Sequence, residues 1–157
     1  DVVSSTYGLV GAFVHLHPYF EPGDAALGIP FNKISEQILR QVFLMAKYLQ
    51  QHLTSAAALH QPAARVCFMT VMRMDGGFGL RNERDIDVIA GGMLGLTKTL
   101  ALEWPEVFCR SVDVSPEIKG AASCIMAELT DPSRLIIEVG WHKTGRTTPE
   151  AVDRSWM

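Results

Sequence analysis

The chain has 157 residues, of which 48% are hydrophobic and 20% charged, with a formal net charge of −3. That composition suits one soluble globular domain with a single packed core. It lacks the clustered Lys and Arg of a nucleic-acid footprint, and no window holds the ~18 consecutive apolar residues of a membrane span.

Along the chain, LVGAFVHLHP (Leu9 to Pro18) is a short apolar run closed by proline and reads as a buried strand. A loop is expected from Tyr19 to Asn32, carrying Pro22, Gly23, Gly28 and Pro30. Ser35 then precedes Ile38, Val42, Met45, Leu49 and His52 at helical spacing. It is therefore the expected N-cap of an amphipathic helix to Leu53, which the alanine-rich segment extends to Leu59. After Pro62, RVCFMTVM (Arg65 to Met72) is continuously apolar, as in a parallel strand buried on both faces. The turn-rich DGGFGLRNERD follows, and then Ile86, Ile89, Met93, Leu96 and Leu100 recur at helical spacing.

This predicts a helix from Asp85 to Glu103, with Val88, Leu94 and Leu102 apolar on its other sides, so that it is buried or faces a partner. Pro105 ends it, with Trp104 expected to plug the sheet edge. VFCRSVDVS is the next strand, Pro116 to Leu129 a helix, and RLIIEVGW (Arg134 to Trp141) the last strand. From His142 to Met157 the chain turns polar and reads as a connector, flanked by Trp141 and Trp156. Strands alternating with helices predict an α/β fold: a mostly parallel sheet of about four strands joined by right-handed crossovers.

Cys67, Cys109 and Cys124 are odd in number, lack zinc spacing and lie in apolar runs, so they read as small core residues in a reducing, cytoplasmic setting. The start, DVVSSTYG, has no methionine and no signal-peptide pattern, and the chain is expected to be a piece of something longer.

The run from Gly91 to Pro116, GGMLGLTKTLALEWPEVFCRSVDVSP, resembles the helix and strand that follow the catalytic tyrosine in short-chain dehydrogenases/reductases. Together with GAFVHLHP, ILRQVFLMAKYL, RMDGGFGL and IIEVGW, it looks most like the ketoreductase region of polyketide and polyunsaturated-fatty-acid synthases. Such ketoreductases consist of two Rossmann-like halves. The N-terminal half is truncated and structural; the C-terminal half binds NADPH and reduces carrier-bound β-ketoacyl groups. The resemblance implies that residues 1–141 are a truncated Rossmann-like subdomain and residues 142–157 a connector toward a catalytic half.

Carbonyl reduction needs a proton donor beside the carbonyl oxygen, and the family uses a tyrosine assisted by a lysine and a serine. Lining up GLTK (Gly95 to Lys98) with the family helix puts Ile86 in the tyrosine place and Ala90 in the lysine place, with Thr70 near the serine place. Neither Ile86 nor Ala90 can move a proton. The residues four beyond Tyr7, Tyr19 and Tyr48 are Gly11, Gly23 and His52, so no shift of alignment restores a pair.

No glycine-rich phosphate turn precedes a helix near the start of the chain, and Gly76-Gly77-Phe78-Gly79 has the wrong spacing for one. The expectation is therefore a chain without catalytic residues, cofactor site or metal, whose partner is the NADPH-binding half of the same polypeptide or a second copy.

Three candidates remain. His15 and His17 share a face at a strand end, where α/β sheets bind ligands, either as a binding site or as hydrogen-bonded braces for the loop. With Thr70 they define the rival reading, a stand-alone module for an acyl or small polar ligand. A weaker alternative is an enzyme completed by a partner that supplies tyrosine and cofactor. Gly91, Gly92 and Gly95 each cost the helix about 1 kcal/mol relative to alanine. They therefore imply a tightly packed face, against the chain's own sheet or as a docking surface. Ser111, Ser115 and Ser123 lack the G-x-S-x-G frame of a hydrolase elbow.

Overall fold

The computed structural model describes residues 2–19, 33–60, 65–82 and 86–151. Most of the expected loop before Asn32, together with Pro62, Arg84, Asp85 and Trp156, lies outside them.

Five strands form one sheet in the order β1 (Ala12–Leu16), β2 (Cys67–Met72), β3 (Phe108–Val114), β4 (Glu138–His142) and β5 (Gly145–Thr147). The first four are parallel and β5 is antiparallel to β4. This is a mostly parallel α/β sheet of truncated Rossmann-like form. Its helices are α1 (Val2–Tyr7), α2 (Lys33–His60), α3 (Val88–Glu103) and α4 (Ala121–Thr130). β2 and β3 are buried at every position, because helices cover both of their faces.

Alternation along the strands separates two cores. Phe68 and Met72 of β2 and Cys109 of β3 meet α2 and α3, together with Val42, Leu53, Met93 and Leu100. Met69 and Val71 of β2 and Phe108, Val112 and Val114 of β3 meet α4 through Ala121, Ile125 and Leu129. The parallel strands follow one another in a single direction across the sheet, yet α4 lies on the opposite face from α2 and α3. The β3–α4–β4 crossover is therefore opposite in hand to the two before it. Uniformly right-handed crossovers, the expectation from chain order, do not describe this sheet.

Several boundaries differ from the sequence reading. α2 already begins at Lys33, so Ser35 lies within its first turn and is not its cap. Its hydroxyl donates instead to the Asp87 carboxylate. Asp87 caps α3, accepting the N–H of Ile89 at 3.0 Å. α4 starts at Ala121 rather than Pro116, and α1 had no signal beyond a short apolar start.

Trp104 does not plug a sheet edge. It packs edge-on against Phe68 of β2, a strand with neighbours on both sides. The polar segment after Trp141 is not all connector, since a turn at Lys143–Thr144 returns β5 along β4 as a fifth strand.

Candidate functional site

A small cleft opens at the carboxyl ends of β1 and β2, beside the N-terminus of α3. It is lined by His17, Tyr19, Arg73, Met74, Ile86, Asp87 and Ala90, among others. Ile86 and Ala90, the residues aligned with the family's tyrosine and lysine, thus share one wall. His17 Nε2 lies 3.6 Å from Asp87 Oδ2. Asp87 links the end of β1, the first turn of α2 through Ser35, and the cap of α3.

Burial holds His17 below the ordinary imidazole value, a pull partly offset by the Asp87 carboxylate. His15, its ring 5.8 Å from that of His17, is held down by burial and by its neighbour. The enclosed space is about 20 Å³, room for one water molecule.

Thr70 is not in this cleft. It is fully buried between sheet and α3, with its hydroxyl 2.8 Å from that of Thr97 and 3.1 Å from that of Ser111. Thr97 also donates to the Met93 carbonyl. Parallel register sets His15, Thr70, Ser111 and Glu138 at one level across four strands. The hydroxyls of that row satisfy one another inside the core. The Thr70 hydroxyl is thus engaged within the core, while the His15 and His17 rings lie side by side at the strand end.

The glycine-bearing loop after β2 turns inward on the chain's own carboxylates. Asp75 accepts the N–H groups of Gly77, Gly79 and Arg81 at 2.8–3.1 Å. Asp113 of β3 accepts those of Met74 and Phe78, both at 2.8 Å. These are the donors with which such a loop would hold a phosphate, and here they surround anions of the protein itself. Burial pushes the Asp113 carboxyl above the usual range; the N–H groups of Phe78, Met74 and Gly77 pull it back and nearby Asp75 adds to the rise.

Ile86 is committed to the same loop, since a Cβ at Gly79 would meet its Cδ1 at 2.5 Å. Gly76, at φ +70°, lies against the Trp141 carbonyl, and a Cβ at Gly140 would overlap the Gly76 carbonyl.

The three helix glycines have different surroundings. A Cβ on Gly92 would meet Leu39 Cδ2 at 2.7 Å, so Gly92 brings α2 and α3 together. Gly91 and Gly95 have nothing within 4 Å of the same position. They lie on the outward stripe of α3 with Val88, 49% exposed, and Leu102, 82% exposed. The inward stripe is Ala90, Met93, Thr97 and Leu100.

The most elaborate polar cluster is on the other face of the sheet, and sequence reasoning missed it. Arg110, fully buried in β3, donates to Glu128 Oε2 at 2.7 Å, Asp131 Oδ2 at 2.8 Å and the carbonyls of Ser133 and Ile136. Arg146 of β5 pairs with Glu128 and Asp131, and Trp141 Nε1 donates to Glu128 at 2.8 Å. The Ser133 N–H, with Arg110 and Arg146, holds Asp131 below the ordinary carboxylate value. Arg65 and Arg110 lie 4.4 and 4.6 Å from the Phe108 ring centroid. The available signal was an arginine inside a continuous apolar strand, with Glu128 and Asp131 both near the end of the next helix.

Among the described residues, no group of three His, Cys, Asp or Glu side chains is placed to hold a metal ion, and no helix is long and apolar enough to cross a membrane.

The fold and cleft define a truncated Rossmann-like α/β domain. In sequence the chain is similar to one of the subunits of the polyunsaturated fatty acid synthase of Thraustochytrium sp., 32% identical over 111 residues. The match covers 66% of this chain and 4% of that synthase polypeptide, which relates the chain to a small part of a very large protein. No protein-family model and no solved structure matches it.

Proposed function

We propose that this chain is the structural, non-catalytic subdomain of a synthase ketoreductase, supporting an adjoining half that binds NADPH and reduces carrier-bound β-ketoacyl groups. The observation that carries this reading is the outward stripe of α3. A helix this rich in apolar residues belongs largely in an interior, yet Val88, Gly91, Gly95 and Leu102 are uncovered on a stripe whose polar members are Lys98 and Thr99, and the two glycines admit a neighbouring backbone. Seating the catalytic half on that stripe would bury these side chains and offset the helix cost of the glycines.

The cleft supports the same division of labour. The two positions aligned with the family's tyrosine and lysine, Ile86 and Ala90, carry no proton donor, which leaves His17, Tyr19, Arg73 and Asp87 as the titratable groups of its lining. It has room for one water, and the amides of the nearby loop are engaged by Asp75 and Asp113. The similarity to a fatty acid synthase polypeptide supports a place within a long chain. The subdomain would extend through β5 to Thr147, and the segment beyond would lead toward the catalytic half.

The test is NADPH-dependent reduction of a β-ketoacyl thioester by the long polypeptide, compared with Gly95→Gln and His17→Gln variants. Gly95→Gln raises intrinsic helix propensity by roughly 0.5–1 kcal/mol but fills the open stripe. It is expected to lower turnover about tenfold or more, since a small misplacement of supporting structure can cost ~100-fold. His17→Gln is expected to leave turnover within about twofold, as suits a residue outside the chemistry. Loss of turnover on His17→Gln, with Gly95→Gln silent, would move the chemistry into this chain's own cleft.

A further inference from the structure

We propose that the outward face of α2, centred on Arg40, Phe43, Leu44 and Lys47, docks an acidic amphipathic helix from a protein partner. It rests on the subdomain reading only for the long polypeptide in which it is tested, and it concerns a different helix from the stripe assigned to the catalytic half.

α2 buries Val42, Ala46, Leu49 and Leu53 at helical spacing, so its opposite side faces water. The segment VFLMAKY (Val42 to Tyr48) is nevertheless apolar on nearly every side. Phe43, Leu44, Met45 and Tyr48 are each about half exposed, at 45–57%. An outward patch of that kind on a soluble helix marks an interaction surface.

Arg40, Phe43, Leu44 and Lys47 stand at i, i+3, i+4 and i+7, one continuous face with a cation at each end. Both cations are exposed, and neither has a carboxylate partner among the described residues. The Lys47 ammonium lies 5.8 Å from the Phe43 ring centroid. Glu36, one turn before Arg40, is half-buried. In a chain of net charge −3, this is a local cationic frame around an apolar centre.

Charge decides among the occupants. A second copy meeting this face about a two-fold axis would oppose cation to cation. An anionic lipid surface calls for clusters of about 4–8 Lys and Arg, and this face has Arg40 and Lys47. An amphipathic helix with apolar residues over Phe43 and Leu44, and carboxylates at both ends of its stripe, satisfies both parts of the pattern.

Zero-length carbodiimide coupling in the long polypeptide with its native partners tests this, because it joins a lysine only to a carboxylate in contact. At low salt, Lys47 is expected to couple to Glu or Asp of an acidic amphipathic segment. The yield is expected to fall about fivefold or more near 1 M salt, where the screening length is ~3 Å. Arg40→Glu is expected to lower the yield similarly.

Coupling of Lys47 to a second copy of this chain overturns the proposal. So does full hydroxyl-radical labelling of Phe43 and Tyr48 in the assembled polypeptide with no coupling. Binding to phosphatidylserine vesicles that Arg40→Glu abolishes would also overturn it, assigning the face to a membrane. None of these outcomes alters the turnover comparison of Gly95→Gln with His17→Gln.

Discussion

On its α4 face the sheet carries a buried ion cluster beside an apolar core; on its α2–α3 face it carries apolar packing and two hydroxyls bonded to that of Thr70. The ion cluster is complete. Arg110, Glu128, Asp131, Arg146 and Trp141 satisfy one another across β3, α4, β4 and β5 without a contribution from outside. The apolar face is complete only toward the sheet. Its outer side shows Phe43, Leu44, Met45 and Tyr48 on α2, and Val88 and Leu102 on α3. Both faces leave apolar side chains uncovered, Met126 and Leu135 on the α4 side among them, so the difference lies in the buried polar groups: an ion cluster on one face and a short chain of hydroxyls on the other.

The largest test of this contrast is Arg110→Met. It strands Glu128 and Asp131 with only Arg146 for charge, and removing one member of a buried pair costs about 3–5 kcal/mol. A urea unfolding curve is expected to show that loss, with partial recovery in the double variant Arg110→Met, Glu128→Gln. A loss below about 1 kcal/mol would make the charged face no more than an exposed ion pair in energy.

A smaller effect is expected from Asp113→Ala, which leaves the N–H groups of Met74 and Phe78 without their acceptor and costs about 1–3 kcal/mol. Amide exchange at Phe78 is expected to accelerate beyond that at Leu100. Unchanged exchange would mean that the loop after β2 does not depend on the carboxylate.

The smallest effect concerns pH on the α2–α3 side. His15 and His17 have folded values below 6.5, so the folded state binds their protons less readily than the unfolded chain. Their contribution is intact above 6.5 and is lost as pH falls from there through the folded values. Thermal unfolding is expected to show stability declining with acid below 6.5, and His17→Gln is expected to flatten that decline. A steeper decline in the variant would reverse the assigned sign.

What the sequence disclosed follows from which interactions leave a local pattern. β2 and β3 were legible because strands buried on both faces are continuous apolar runs, and α3 because its apolar residues repeat at helical spacing. Lining up GLTK with a family helix put Ile86 and Ala90 in the tyrosine and lysine places; that both line one cleft is visible only in the structure. The rest depends on long-range partners. Ser35 reads as a cap until Asp87, far along the chain, takes its hydroxyl. Thr70 reads as a strand-end hydroxyl until Thr97 and Ser111 enclose it. The β4–β5 hairpin is hidden by polar residues, because Arg146 is placed by Glu128 rather than by an apolar core. The reversed crossover leaves no trace in element order, since hand depends on which face a helix covers.

The backbone contact between the loop after β2 and the β4–β5 hairpin bears on how such chains can diverge. A side chain at Gly76 would need the space of the Trp141 carbonyl, and one at Gly140 the space of the Gly76 carbonyl. Substitution at either site alone forces two backbone segments apart, and with them the Asp75 and Asp113 hydrogen bonds of the loop. Each position on its own therefore disfavours any residue larger than glycine. Both are expected to remain glycine in an alignment long after the helix surfaces between them have drifted beyond recognition.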